Sequence, residues 1–409
     1  MPKNPEKNLI FALDIGTSKI AVLVGEGGQD NQIEVIGFGT HPSRGLKRGV
    51  VVNIESTVQS IQRAVEEAEL MAGCEIRSAY TGIAGSHIRS LNSHGIVAIR
   101  DREVNQSDVD RVIDAAKAVA IPADQKYSIF CRKNSSLITK KVFANLWECQ
   151  ASLGSESTYR YRRVSAAQNI TKCVRRCGLQ VDDIVLEQLA SSHSVLTDDE
   201  KELGVCMVDI GGGTTDMAIF TEGAIRHTYV IPIAGDHVTN DVAVALRTPT
   251  QYAEQIKMKH ASALPAEVDP EETIQVPSVA KRPPKQVPKR ALAQVVAARY
   301  EELFELVLTE LRRSGFEDLI SAGIVLTGGA SRIFGCVELG EKIFQMPVRL
   351  GLPQYVNGLA DVRDNPIYAT AVGLLIHGHQ NQNNNPATFD LDHSLSLWQR
   401  MKSWFQGNF

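Results

Sequence analysis

The sequence predicts an α/β protein of two lobes that face each other across a cleft, because one β-β-β-α unit occurs in it twice. In the first unit, residues 8–71, an apolar strand reaches Asp14 and is followed by a glycine turn, two more strands and a helix. In the second unit, residues 205–246, the same succession begins with a strand that reaches Asp209. Both first turns contain Asp-Ile-Gly. An internal duplication of this type predicts two similar lobes.

The first unit carries a candidate phosphate-binding turn between its first two strands. Its candidate contacts are Asp14, Gly16, Thr17, Ser18 and Lys19. Residues 33–39 supply the third strand, and apolar residues at helical spacing predict an amphipathic helix over residues 53–71.

The second unit carries a longer glycine turn. Glycine takes positive φ without steric cost, so successive backbone N–H groups in such a turn form a concave surface suited to phosphate oxygens. The candidate contacts here are Asp209, Gly211, Gly212, Gly213, Thr214 and Thr215. The carboxylates of Asp209 and Asp216 would repel phosphate unless a divalent cation lay between them. An ordinary β-hairpin is the alternative for this turn alone, but the matching turn in the first unit favours a two-sided clamp on one polyphosphate.

Two further stretches fit the rest of a nucleotide. A buried strand ends in the turn Gly328-Gly329-Ala330, where glycine lets backbone approach a flat base and ribose closely. The N–H groups that open a helix after residue 234 would face a phosphate or ribose. The candidate contacts at that helix are Gly235, Asp236, Thr239 and Asn240. A plain strand-to-helix turn is the alternative for the Gly-Gly-Ala stretch alone.

Composition excludes several other classes of protein. The 409 residues are 43% hydrophobic and 22% charged, as in ordinary soluble globular proteins, and allow two or more domains. The net charge of −4 gives no reason to expect nucleic-acid binding. Seven cysteines without a CxxC pair, and an N-terminus without a signal-peptide core, predict a cytoplasmic protein with reduced thiols. No apolar run reaches the roughly 18 residues that a membrane span requires.

The three turns resemble the first phosphate, second phosphate and adenosine motifs of the superfamily of actin, heat-shock chaperones and sugar kinases. Residues 44–54, 231–241 and 276–284 narrow the resemblance to the bacterial cell-division family FtsA, and it covers most of the chain. It implies an actin-like (ribonuclease H-like) fold that binds ATP and polymerises beneath the inner membrane. It also implies that the chain tethers the FtsZ ring at the septum and helps to recruit later division proteins.

Two carboxylates receive roles from this comparison. Asp209 is expected to hold Mg²⁺ through water, because Mg²⁺ keeps several of its own waters. Glu187 follows a predicted strand at 181–186 and falls where the superfamily orients water near the γ-phosphate. A helix N-terminal acid favoured by the helix dipole is the alternative for Glu187. No nucleophile or base with sharp spacing appears, so ATP hydrolysis is expected to be slow.

An insertion at residues 81–163 separates the two units. Its first half has regular patterning, with a strand at 95–99 and a helix at 107–119. Residues 127–163 are basic, serine-rich and poor in two-residue alternation, and they lack the family resemblance of their flanks. Local divergence is one explanation; the abrupt edges favour the other, a compensated pair of reading-frame shifts, which the coding DNA would test. A solvated loop is favoured over an RNA or membrane contact for the basic run.

The second lobe contains a basic, proline-rich loop at residues 280–290, followed by a long helix at 291–313. By resemblance, this region receives the acidic and apolar C-terminal tail of FtsZ. The candidate electrostatic contacts are Lys281, Arg282, Lys285, Lys289 and Arg299. A solvated loop that caps the lobe is the alternative.

The end of the chain predicts a membrane anchor. A last helix is expected at 366–377, a polar linker at 379–393 and an amphipathic helix at 394–409. The apolar stripe of that helix and its basic flanks comprise Leu397, Trp398, Arg400, Met401, Lys402, Trp404 and Phe405. A basic, tryptophan-rich helix after a linker favours an interfacial anchor on anionic lipids over a helix that packs back on the domain.

These assignments predict a first lobe from residues 1–80, 165–200 and 364–378 and a second lobe from 201–363, which includes a subdomain at 235–310. A sugar or acetate kinase of the same fold is the nearest alternative, although no catalytic aspartate for a small substrate is identifiable. A heat-shock-type chaperone would need a substrate-binding domain after the cleft, and only some thirty residues follow.

Overall fold

The structure is a computed structural model that describes residues 8–28, 32–85, 88–98, 107–108, 111, 115, 125–132, 152–278 and 283–384. Its strands are β1 (Leu9–Ile15), β2 (Lys19–Gly27), β3 (Ile33–Pro42), β4 (Leu46–Lys47), β5 (Val50–Val51), β6 (Ser78–Ile83), β7 (Ile88–Ala98), β8 (Gln125–Arg132), β9 (Ser152–Arg163), β10 (Gln180–Leu186), β11 (Val205–Ile210), β12 (Thr215–Thr221), β13 (Ala224–Ile231), β14 (Thr273–Val276), β15 (Lys285–Pro288), β16 (Ile324–Thr327), β17 (Val348–Leu350) and β18 (Val356–Gly358). Its helices are α1 (Ile54–Ala72), α2 (Val164–Arg176), α3 (Glu187–Val195), α4 (Asp198–Leu203), α5 (Gly235–Leu246), α6 (Thr250–His260), α7 (Lys289–Ser314), α8 (Cys336–Phe344), α9 (Ala360–Arg363) and α10 (Ala369–Asn384).

Five strands follow the same order in the two main sheets, which confirms the predicted duplication, and β18 is an additional edge strand of the first sheet. The order is β10-β6-β1-β2-β3-β18 in the first lobe and β13-β12-β11-β16-β17 in the second. In each lobe the three leading strands are antiparallel, and a later strand pairs in parallel with the first of them. Asp14 and Asp209 are both the penultimate residue of that first strand. The turns that follow them therefore lie at equivalent edges of the two sheets.

Helices cover both faces of the first sheet because its strands are apolar on both sides. Leu13 and Val22 pack with α1 and α2 in one cluster, whereas Ala12 and Leu23 pack with α10 in another. This follows from the alternation of side chains along a strand. In α1, the Asn53 side chain accepts a hydrogen bond from the backbone N–H of Ser56, and Gly73 ends the helix at φ 66°. Both caps satisfy backbone groups that the helix itself leaves unpaired.

The insertion forms an antiparallel sheet of order β7-β9-β8. Two of its strands, β8 and β9, occupy sequence that lacks two-residue alternation. Alternation reports which face of a strand is buried, whereas the ladder itself is made by backbone groups that every residue except proline carries. The missing pattern was therefore a poor guide to the backbone of 125–132 and 152–163. Most of the predicted helix at 107–119 lies outside the described residues.

Several further element boundaries differ from expectation. The predicted loop at 280–290 contains β15, which pairs with β14, and α7 begins at Lys289. A 3-10 turn, Pro366–Tyr368, precedes α10, which runs to Asn384 and so includes the first six residues of the expected linker. Polar residues continue this helix because its buried face still packs on the first sheet. The predicted amphipathic helix at 394–409 lies outside the described residues. Among the described residues, no helix is long and apolar enough to cross a bilayer.

Candidate nucleotide-binding site

A cavity of about 610 Å³ lies between the two lobes, at the edges where the equivalent turns meet. Its walls contain most of the predicted contacts. From the first lobe these are Asp14, Gly16, Thr17, Ser18, Lys19 and Glu187. From the β11–β12 turn and the start of α5 they are Asp209, Gly211, Gly212, Gly213, Thr214, Gly235 and Asp236, and from the turn after β16 they are Gly328, Gly329 and Ala330.

The two predicted phosphate turns touch each other across the cleft. Ser18 Oγ donates a hydrogen bond of 3.2 Å to Asp236 Oδ1. A Cβ atom placed on Gly212 would lie 1.7 Å from Ser18 Oγ, and one on Gly213 would lie 2.7 Å from Thr17 Oγ1. Both positions therefore require glycine because the opposite lobe occupies the space of a side chain. At such a junction, backbone N–H groups from both lobes can reach one polyphosphate.

Four buried carboxyl groups converge on this junction. Burial raises the pKa of Asp14 and Asp209, and it raises the pKa of Asp216 to about 7. The pKa of Glu187 is raised well above its ordinary value, first by burial and then by the neighbouring Asp14, Asp216 and Asp209. Desolvation and like charge both disfavour the ionised form. The junction therefore stabilises any cation that reaches it.

Hydrogen bonds hold the second-lobe carboxylates in place. Asp209 Oδ2 accepts from Ser191 Oγ at 2.7 Å and from Thr370 Oγ1 at 3.5 Å. Asp216 Oδ1 accepts from Gln188 Nε2 at 2.5 Å. All three donors lie on α3 and α10, which belong to the first lobe. The orientation of the second-lobe carboxylates therefore depends on how the lobes are seated together.

These residues fit Mg²⁺ held through water better than a direct chelate. The ligand atoms are carboxylate oxygens, the type that Mg²⁺ prefers. Within the described part of the chain, no three His, Cys, Asp or Glu side chains come together closely enough to hold a metal ion themselves. Mg²⁺ commonly keeps several waters and completes its shell with substrate phosphates. Asp209, with its fixed carboxylate, is the residue that would hold such an ion.

Lys19 supplies a cationic side chain that interacts with two of these carboxylates. Burial lowers its pKa to about 8, while the carboxylates of Asp14 and Asp209 act in the opposite direction. Its Nζ atom is buried and has no hydrogen-bond partner among the described residues. It lies 3.8 Å from the centroid of the Tyr368 ring.

The other end of the cleft is more apolar. Met258 and Phe334 line it with 71% and 62% of their surfaces exposed. Gly328 has φ 86°, and a Cβ atom there would lie 2.3 Å from Asp209 Oδ1, so glycine is required for this turn to approach β11. Tyr300, buried in α7, donates a hydrogen bond of 2.5 Å to the carbonyl oxygen of Ala330 and fixes the turn from behind.

Sequence reasoning missed Glu254 and Lys257 of α6, both of which line the cavity. The buried Lys257 ammonium donates to Gly235 O at 3.0 Å and to Thr239 Oγ1 at 2.8 Å, and it lies 2.7 Å from Glu254 Oε2. A Glu and a Lys three residues apart share one helix face, and that spacing was the available signal. Arg332 lines the same end of the cleft.

Three predicted contacts are not part of the cavity wall. Thr215 is buried and donates from Oγ1 to the carbonyl oxygen of Ile233 at 2.7 Å, because β12 alternates and directs its neighbours, Thr214 and Asp216, to the cleft. Thr239 is buried and donates to Gly235 O at 3.1 Å. Asn240 is exposed on the outer face of α5.

The predicted basic surface of the second lobe is partly engaged within the chain. Lys289 forms an ion pair of 2.9 Å with Glu272. Arg299 forms a two-pronged contact with Asp241, at 2.6 and 3.0 Å, and also pairs with Glu302. Arg299 thus ties α7 to α5. Lys285 lies on β15, and the predicted contacts Lys281 and Arg282 lie outside the described residues.

Comparison with known proteins decides the family. The model of the family described as "Cell division protein FtsA" matches residues 11–197 and 206–373. The chain belongs to the FtsA family. It is 62% identical to the cell division protein FtsA of Pseudomonas aeruginosa over 98% of both chains. It is 42% identical to that of Escherichia coli K12 over the full length of both. This chain is therefore an actin-like cell division protein, and the small-molecule kinase alternative is not favoured.

Solved structures agree on the fold of this FtsA-family chain. The chain is similar to a protein of the PilM–PilN type IV pilus biogenesis complex, with a TM-score of 0.65, 15% identity and coverage of 90% of this chain and 98% of that one. It is also similar to MreB5 of Spiroplasma citri bound to ADP, with a TM-score of 0.57, 16% identity and coverage of 93% and 99%. A further match is the MamK double helical filament, with a TM-score of 0.52, 13% identity and coverage of 90% and 97%. These matches confirm the predicted actin-like fold.

Proposed function

We propose that this FtsA-family chain binds ATP and Mg²⁺ in the cleft, and that nucleotide binding controls its assembly into filaments on the inner membrane. The filaments tether the FtsZ ring to the cytoplasmic face of that membrane at the septum and help to recruit later division proteins. The observation that carries the nucleotide assignment is the contact of two glycine turns from opposite lobes, at Ser18 and Gly212. The likeness to MreB5 with ADP and to the MamK filament supports the nucleotide and the polymer.

The shape of the cleft supports a defined orientation for ATP. The phosphates would lie at the turns that contain Ser18 and Gly212, where backbone N–H groups and Lys19 are available. The base would lie at the apolar end against Met258 and Phe334. Glu254, held by the buried Lys257, is placed to accept hydrogen bonds from ribose hydroxyls.

Asp209 would hold Mg²⁺ through water, and the ion would neutralise phosphate charge. Glu187 lies in the wall of the cleft and is assigned the task of orienting water. Burial and the neighbouring carboxyl groups raise its pKa, which disfavours the ionised form that would take a proton from water. We therefore assign the chain a slow, regulatory ATPase activity.

Nucleotide titration tests the assignment of the cleft. A fluorescent ATP analogue should bind the full-length chain, and Gly212→Val should abolish binding because the new side chain would overlap Ser18. Asn240→Ala, on the outer face of α5, is the matched control and should bind as the native chain does. Absence of binding to the native chain would refute the assignment.

The membrane assignment rests on residues 394–409, which follow α10. Helical spacing would place one apolar stripe on this segment, with Arg400 and Lys402 beside it; its members would be Leu397, Trp398, Met401, Trp404 and Phe405. One short anchor binds weakly, and many copies in a filament bind firmly. Trp404→Glu should release the chain from vesicles that contain anionic lipid. Gln399→Glu introduces the same charge on the opposite face and should leave binding intact; equal loss in both variants would rule out the anchor.

The FtsZ assignment places the acidic tail of FtsZ on the basic surface of the second lobe. Lys285 provides the cleaner test, because charge reversal at Lys289 would also break its pair with Glu272. Lys285→Glu should weaken binding of an FtsZ tail peptide, most strongly at low salt. Lys47→Glu, in the exposed β4–β5 hairpin of the first lobe, is the control for net charge. Equal affinities of the two variants would refute this placement.

A further inference from the structure

The Lys19 ammonium is a buried cation whose hydrogen-bonding capacity is unused within the described chain. An ammonium has three N–H donors, and burial of a charge is costly unless those donors find partners. Lys19 Nζ has no hydrogen-bond partner among the described residues, yet it lies in the wall of the cleft beside Asp14 and Asp209. The ammonium also lies over the face of the Tyr368 ring, 3.8 Å from its centroid.

Tyr368 belongs to the segment that joins the lobes. It is the last residue of the 3-10 turn before α10, and 9% of its surface is exposed. Its ring meets Phe38 of β3 edge-on, with centroids 6.1 Å apart. The preceding residue, Ile367, packs under the adenosine turn at Gly329, where a Cβ atom would lie 3.0 Å from its side chain. A change in the contacts of the Tyr368 ring therefore alters the packing at the start of α10.

We propose that the Tyr368 ring and a nucleoside polyphosphate compete for the Lys19 ammonium, so that phosphate binding loosens the start of α10. A phosphate oxygen offers charge-assisted hydrogen bonds, which are stronger than contact with an aromatic face. The flexible lysine stem lets one ammonium serve either partner but not both fully. The coupling is reciprocal: the Lys19–Tyr368 contact weakens phosphate binding by the same factor by which phosphate binding weakens the contact. This inference rests on the proposed nucleotide function and concerns the regulation of that site.

The test compares ADP with adenosine, which lacks phosphates, on the full-length chain in EDTA, where protein side chains supply the counter-charge. Tyr368→Leu removes the ring and should raise ADP affinity roughly tenfold, the equivalent of about 1.4 kcal/mol, without changing adenosine affinity. Tyr368→Phe keeps the ring and should bind ADP as the native chain does. In the Lys19→Met background, Tyr368→Leu should have no effect on ADP affinity.

Hydrogen exchange supplies an independent measurement. Saturating ADP should increase amide exchange over residues 366–376 in the native chain and leave it unchanged in Lys19→Met. Equal ADP affinities of Tyr368→Leu and Tyr368→Phe, or an ADP response of α10 that persists in Lys19→Met, would overturn the competition. If Tyr368→Leu does not fold, the exchange measurement on Lys19→Met decides alone. Failure of the native chain to bind ADP or ATP overturns the nucleotide function itself, whereas binding that ignores Tyr368 removes only the competition.

Discussion

Substitution of Gly212 by alanine tests whether the two phosphate turns must touch for nucleotide to bind. The added Cβ atom would lie 1.7 Å from Ser18 Oγ and 2.8 Å from Ser18 Cβ, so no rotation of the Ser18 side chain relieves the overlap. Gly212 is not among the positive-φ residues, and the substitution therefore adds no backbone strain there. The free-energy cost of the overlap arises only when the two lobes are in contact.

Overpacking of this kind costs about 1–3 kcal/mol, which corresponds to a roughly 5- to 150-fold loss of affinity for ATP. The melting temperature should change little, because each lobe has its own core and the overlap lies between them. Isothermal titration measures the affinity for ATP, and thermal unfolding measures the melting temperature. Ser18→Gly removes both overlapping atoms and provides the matched background.

In the Ser18→Gly background, Gly212→Ala should therefore cost much less affinity than it does in the native chain. The difference between the two backgrounds is the interaction energy of the two turns. An equal loss in both backgrounds would show that Gly212 is needed for another reason, and the reasoning from turn contact would fail.

Substitutions at three other positions test further parts of the structure. Asp216→Asn should make the free energy of unfolding less dependent on pH. Burial raises the pKa of Asp216 from 3.8 to about 7. The native chain therefore loses stability as the pH rises through that window, at roughly 1.4 kcal/mol per pH unit. Urea unfolding at pH 5 and pH 8 measures the free energy of unfolding of both chains. The same difference between native chain and variant at the two pH values would contradict the prediction. Glu187→Gln should retain ATP affinity and slow hydrolysis, measured by phosphate release; unaltered hydrolysis would remove Glu187 from the mechanism. Arg299→Ala should lower the free energy of unfolding by about 1–2 kcal/mol because it removes the ion pair with Asp241. Arg299→Lys should retain only part of that free energy, since an ammonium cannot make the two-pronged contact. Native stability of Arg299→Lys in urea unfolding would show that charge alone matters.

The placement of the two glycine turns in the wall of the cleft was predictable because Asp-Ile-Gly follows the first strand of both repeated units. Gly211 to Thr214 and Asp14 to Ser18 could be named from the chain alone for this reason. Thr215 could not be assigned correctly without knowledge of the strand register, which directs it away from the cleft. Thr239 and Asn240 show the same limit on a helix: a helix N-terminus indicates a site, but residues beyond the first turn rotate out of it.

Contacts between distant segments were beyond sequence patterns. Lys19 and Tyr368 are separated by most of the chain, and neither has a neighbour in sequence that marks the pair. Lys257 is a lysine in an amphipathic helix, a position that usually lies in solvent, and only its three partners in the fold make it a buried residue. The strands β8 and β9 were obscure because their pairing depends on backbone groups and leaves little trace in side-chain pattern.

The passage of the chain through the two lobes has a consequence for its synthesis. The second sheet is assembled from one continuous stretch, β11 to β17, whereas the first sheet is completed by β18 and covered by α10, near the end of the chain. A ribosome delivers residues in order, and domains fold as units once their residues are available. The second lobe can therefore fold first. The first lobe can fold completely only after β18 and α10 have been synthesised. The cleft between the lobes then forms last, and a nascent chain lacks it until α10 has been synthesised.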